Sequence, residues 1–200
     1  MCVLLFVYTR IPKHLYYTYH LYTTLLYPYL CFRIFFTQLY YTHIYATGSL
    51  CVGNIDNAIP PSDKIVTGSL KGKIRIYNPT KDEYKLEDLL LEDDLGSPIL
   101  QMLIGKIIPS SLGALGLAVL HPFSLVVYEV CPQGASGNKT SYYSLEKLYQ
   151  HALGLEGKHF TAFNMVCGGF GGVRGKDILM VQSMDGKLQF FEDSAIAFTR

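Results

Sequence analysis

Histidines, cysteines, a carboxylate cluster and a glycine-rich loop are the parts of this 200-residue sequence that could do chemistry. The loop Gly168-Gly169-Phe170-Gly171-Gly172-Val173-Arg174-Gly175-Lys176 has the composition of a phosphate cradle, because glycine lets backbone N–H groups approach an anion closely. Its spacing refuses that use. A Walker loop needs a glycine, four residues, then Gly-Lys-Ser or Gly-Lys-Thr, and none of the five Gly-Lys pairs has the earlier glycine or the following hydroxyl. A tight connection between strands is the expectation for this loop. The six histidines, His14, His20, His43, His121, His151 and His159, include no HExxH pattern and none stands beside a Ser or Cys nucleophile motif.

The five cysteines, Cys2, Cys31, Cys51, Cys131 and Cys167, are odd in number, widely spaced and without a CxxC pair, which disfavours both a zinc site and a disulfide framework. Buried free thiols in a reducing compartment are expected. Glu87-Asp88 with Glu92-Asp93-Asp94 lacks the alternating oxygen ligands and fixed glycine of a calcium loop, so it reads as a solvated acidic edge around Leu89-Leu90-Leu91. Asn138-Lys139-Thr140 fits the glycosylation rule, which matters only in a secreted chain. No catalytic, cofactor-binding or metal-ligating residue is assigned, and the chain is expected not to be an enzyme.

Charge divides the chain. Residues 1–47 hold no Asp or Glu, three cations and ten of the sixteen tyrosines, whereas residues 48–200 carry 14 Lys plus Arg against 16 Asp plus Glu, a net −2. That balance lacks the basic excess of a nucleic-acid binder. The uncharged stretch His14 to Phe32 contains six Tyr, three Thr, two His and Pro28, too polar for the roughly 20 apolar residues of a membrane span. The start also fits a secretory signal poorly, because Met1 to Tyr8 is apolar before any cation. Residues 1–47 are therefore expected to lie outside the fold, as with a misread start; an anchor or an unusual first strand are the alternatives.

From Gly48 onward, short apolar runs alternate with Gly, Asp, Asn and Pro, the pattern of consecutive strands and turns. Ile65-Val66-Thr67-Gly68-Ser69 turns through Leu70-Lys71-Gly72-Lys73 into Ile74-Arg75-Ile76-Tyr77. The same unit returns as Ile178 to Ser183, Met184-Asp185-Gly186-Lys187 and Leu188 to Phe191. Leu117 to His121, Pro122-Phe123-Ser124 and Leu125 to Tyr128 supply a third copy. The terminal aromatics Tyr77, Tyr128 and Phe191 stand 51 and 63 residues apart, a spacing suited to propeller blades with loops of unequal length. Leu50 to Ile55, Ile99 to Ile104 and Phe160 to Cys167 precede the three copies as further strands. The run around Tyr142-Tyr143, Leu145, Leu148, Tyr149 and Leu153 suits a helix face or an outer strand equally. The expected fold is all-β: a partial β-propeller of about three WD40-like blades over 48–200, out of an expected seven, with the atypical segment 1–47 before it. Three blades leave open faces and edges, so the chain reads as truncated.

Five segments, Cys51 to Asn57, Asp63 to Ser69, Leu86 to Glu92, Phe170 to Asp177 and Gln182 to Gly186, resemble the amino-terminal propeller of the ninth Bardet-Biedl syndrome protein family, also called the parathyroid-hormone-responsive B1 family. The resemblance covers roughly Leu50 to Arg200 and is most specific from Gly168 through Phe198. It implies a non-catalytic scaffold subunit of the BBSome, the coat-like complex that carries membrane proteins to and from cilia. Implied partners are the other BBSome subunits and, indirectly, an Arf-like small GTPase and membrane-protein cargo. The implied locations are the cytoplasm, ciliary base, centriolar satellites and, peripherally, the ciliary membrane. No cofactor is implied. The alternative is a membrane-anchored or secreted β-rich binding protein that uses its first residues as an address.

Overall fold

A computed structural model of the chain describes residues 45–80, 83, 85–133, 142–153, 161–172 and 174–200. The expectation for residues 1–47 lies outside these residues except at 45–47. Twelve strands form among the described residues, in three antiparallel sheets of four. The first sheet runs β1 (Leu50–Gly53), β2 (Lys64–Gly68), β3 (Lys73–Tyr77) and β4 (Leu89–Asp94). The second runs β5 (Gln101–Gly105), β6 (Gly116–Leu120), β7 (Ser124–Pro132) and β8 (Tyr143–Ala152). The third runs β9 (Ala162–Gly168), β10 (Ile178–Ser183), β11 (Leu188–Glu192) and β12 (Ala195–Thr199). In each sheet the strands pair in chain order, so every blade is a four-stranded meander. The fold is nearly all-β and propeller-like, with no closed barrel.

The repeated hairpin has a repeated chemistry. Ser69 Oγ accepts the Lys73 N–H at 3.1 Å, and Ser183 Oγ accepts the Lys187 N–H at 3.0 Å. The Gly72 N–H bonds Ser69 O at 3.0 Å, and the Gly186 N–H bonds Ser183 O at 3.1 Å. Both glycines sit at positive φ, 88° and 84°, where a Cβ would clash with its own backbone. At Gly72 there is a second demand, since a Cβ would lie 2.9 Å from Ser97 O.

Stacking of the sheets explains which runs are apolar. On β6 the side chains alternate between two cores: Leu117 and Val119 pack with Val66, Ile74, Ile76 and Ile99 of the first-sheet side. Ala118 and Leu120 pack with Met165, Leu179, Val181 and Phe191 of the third sheet. All five β6 residues are buried, so a strand covered on both faces reads as a continuous apolar run. The first strands of the three sheets lie side by side, β1 against β5 and β5 against β9. The Gly48 carbonyl accepts the Met102 N–H at 2.9 Å across the first of these seams. At Gly68 a Cβ would stand 2.7 Å from Ile99 Cγ2, so glycine sets how closely the second sheet's entry approaches.

The run that could be helix or strand is β8, which pairs with β7 from Ser124↔Ala152 to Pro132↔Tyr143. Long cross-strand pairing overrides its helix-compatible spacing. The glycine-rich loop joins β9 to β10, with a short 3-10 turn at Phe170–Gly172.

Candidate functional site

Several polar side chains of the described residues bridge the seams between sheets. At the first seam, the loop after β1 brings Asp56 against Lys64, whose Nζ lies 3.5 Å from the carboxylate, and both side chains are only 6% exposed. Tyr143, at the start of β8, donates its hydroxyl to Asp56 Oδ2 at 2.6 Å. Burial alone would raise the Asp56 carboxyl, but the Tyr143 hydroxyl and the Lys64 ammonium outweigh it and hold the group below its ordinary range. The same contacts act oppositely on Tyr143, whose phenol is pushed upward by burial and by the carboxylate beside it. Nearby, Asn57, at φ 52°, donates to Leu115 O at 3.0 Å and accepts the Leu115 N–H at 2.8 Å.

The second seam is tied in the same manner. Gln101 of β5 clamps the backbone of one β9 residue, donating to Met165 O at 2.7 Å and accepting the Met165 N–H at 2.6 Å. Asp177 accepts the Lys106 N–H at 2.8 Å, and its own N–H bonds Lys106 O at 2.8 Å. The buried His151 ring bonds Asp193 O at 2.9 Å through Nε2 and stacks near Phe191, with ring centroids 4.4 Å apart. Lys176 pairs with Asp193 and lies 3.6 Å from Glu192, and the Asp193 contact raises its pKa.

His121, buried in the turn after β6, bonds Pro98 O at 2.8 Å. Burial lowers its pKa, opposed by the carbonyl contacts, so the ring is neutral over more of the pH range than a free histidine. His121 and His151 are thus each committed to a backbone carbonyl. His14, His20, His43, His159, Cys2, Cys31 and Asn138-Lys139-Thr140 lie outside the described residues.

Cys51, Cys131 and Cys167 are free thiols, but each is half-buried and not fully buried as expected. Burial pushes the Cys51 thiol up to about 12, which makes it a packing group and not a nucleophile. The acidic cluster is less uniform than a solvated edge. Asp88 is buried and accepts the Lys85 N–H at 2.8 Å, while Glu92 pairs with Arg75 at 2.6 Å and Lys73 at 3.7 Å; Glu87, Asp93 and Asp94 are exposed. One group that the sequence reading missed is Glu129, Cys131 and Glu146, whose ligand atoms lie within 4.8 Å of one another on the β7–β8 hairpin. Strand register alone brings Glu129 opposite Glu146, a pairing invisible to local motifs. No helix of the described residues is long and apolar enough to cross a membrane.

Residues 33–200 match the family model described as PTHB1 N-terminal. Three curated relatives, each named Protein PTHB1, give alignments 159 residues long that cover 76% of this chain. Those of Xenopus laevis and Homo sapiens are 43% identical and that of Mus musculus is 41% identical. The chain spans 17–18% of the length of these relatives. The findings correct one expectation. The quoted segments resemble a family under the ninth Bardet-Biedl syndrome name, whereas the family model and the relatives carry the PTHB1 name, and only the parathyroid-hormone-responsive B1 part of the expectation agrees with them.

Proposed function

Since the chain belongs to the PTHB1 N-terminal family, we propose that it forms part of a non-catalytic scaffold, a subunit of the BBSome that helps carry membrane proteins to and from cilia. The observation that carries this reading is the double fastening of both seams. Each is closed by an apolar core and by side-chain clasps, Asp56–Lys64–Tyr143 at one and Gln101–Met165 at the other. Such fastening makes a rigid array whose loops and strand edges present a broad contact surface, and binding free energy can then come from area without a reactive group. The described histidines support the same reading, because each is committed to a backbone carbonyl. The partners are the other subunits of the complex and, through them, an Arf-like small GTPase and membrane cargo. The chain works in the cytoplasm, at the ciliary base and satellites, and peripherally at the ciliary membrane. It needs no cofactor and contacts no nucleic acid.

Affinity capture of the tagged complete gene product from ciliated cells tests this reading. Co-purification of the complex and a signal at the ciliary base are expected; a product that stays monomeric and absent from cilia would contradict it.

A further inference from the structure

At the first seam the buried ammonium leans away from its carboxylate. Lys64 Nζ lies 3.5 Å from Asp56 but donates at 3.0 Å to both the carbonyl and the hydroxyl of Ser62. The short contact of the Asp56 carboxylate is the Tyr143 hydroxyl, at 2.6 Å. Ser62 differs from the groups it touches in its access to solvent. Residues 59–63 form an exposed segment without regular structure, whereas the Asp56 and Lys64 side chains are only 6% exposed. The segment does not border an open sheet face, because its loop is fastened to the second sheet. Asn57 of that loop bonds Leu115 of the β5–β6 connection twice, at 3.0 and 2.8 Å, and Asn54 Oδ1 accepts the Ser62 N–H at 3.2 Å. A solvent-facing hydroxyl therefore rests directly on the one cation of a buried clasp.

We propose that Ser62 is a phosphorylation site whose phosphate unfastens the first seam. The co-reactants are ATP and a protein kinase. Ser62 Oγ attacks the γ-phosphorus, the new O–P bond forms as the bond to the β-phosphate oxygen breaks, ADP leaves, and the hydroxyl proton passes to the kinase's base. The product carries a charge of about −2 on the oxygen that now touches Lys64. From the shorter distance it competes with Asp56 for a single ammonium, and it sets a second anion beside a buried carboxylate. Residues 54–63 contain no Lys or Arg, and Asp63 adds a further acid, so the loop supplies no cation of its own to balance the phosphate. Phosphate beside an acid disrupts where phosphate beside an arginine cluster would order. Asp56 is then left with the Tyr143 hydroxyl alone, too little to hold a buried charge, and the contact between the first and second sheets loosens.

Two measurements test the proposal. Phosphosite mapping of the complete gene product from cells that express it is expected to find phosphate on Ser62. Hydrogen exchange is then compared between the full 200-residue chain and the same chain with phosphoserine installed at position 62 during translation. The phosphorylated chain is expected to exchange at least about tenfold faster at residues 54–58 and 143–146, with residues 178–183 of the third sheet unchanged. Asp56→Asn, which removes the competing carboxylate charge, should abolish most of the difference that phosphate makes. A product that carries no phosphate at Ser62 would overturn the proposal. So would a phosphorylated chain that exchanges like the unmodified one, an acceleration spread equally over the third sheet, or an acceleration undiminished in Asp56→Asn.

Discussion

Burying an ion pair is costly, and Asp56 with Lys64 is tolerable because the Tyr143 hydroxyl also reaches the carboxylate and Lys64 Nζ donates at 3.0 Å to both the carbonyl and the hydroxyl of Ser62. Removing one partner leaves the other charged and dry. Asp56→Ala is therefore expected to lower the unfolding free energy by about 3 kcal/mol, and Tyr143→Phe by about 1 kcal/mol, as read from denaturant titration. The double variant should cost less than the two added, because both remove the same contact. Protons act on these groups with opposite chemistry and the same sign. The Asp56 carboxyl is held below its ordinary value, so its contribution is complete above about pH 4 and is lost as pH falls through the folded value. His121 is depressed from about 6.5, so unfolding takes up a proton below that point and its contribution declines as pH falls from there. Replacing His121 by Gln should flatten the dependence of unfolding free energy on pH between about 7 and 5; an unchanged slope would show that His121 is not depressed by its burial.

The two Ser-x-x-Gly-Lys turns show what a hairpin writes into sequence. Serine, glycine and lysine recur at the same offsets because the serine hydroxyl, the positive φ and the returning N–H are parts of one geometry. Gly72→Ala and Gly186→Ala should each cost about 1–2 kcal/mol from backbone strain. Gly72→Ala should cost more, because Ser97 O lies 2.9 Å from the new methyl group and nothing lies within 4 Å at Gly186. Equal losses in thermal or denaturant unfolding would refute that difference. These hairpins were readable in advance, as were the first strands of each sheet. The fourth strands were not. β4 is apolar only at its start and acidic at its end, β8 has a spacing that a helix also satisfies, and β12 is exposed throughout. Outer strands are wet on more than one side, so alternation between core and solvent does not mark them. Nor could local pattern join Asp56 to Tyr143, 87 residues apart, or set Glu129 against Glu146.

The three sheets depend on the middle one. Leu117 and Leu120 are both fully buried yet face different neighbours, so each reports on one seam. Leu117→Ala and Leu120→Ala should each cost about 2–5 kcal/mol in denaturant unfolding, whereas Leu50→Ala at a 40% exposed site should cost under about 1 kcal/mol. A rigid stack of this sort is what the proposed scaffold role would require. Hydrogen exchange of the native chain, followed by mass spectrometry, tests the stacking most directly. Residues 116–120, covered on both faces, should exchange more slowly than residues 89–94 at the outer rim of the first sheet. If the two segments exchanged at the same rate, the second sheet would not lie between the other two.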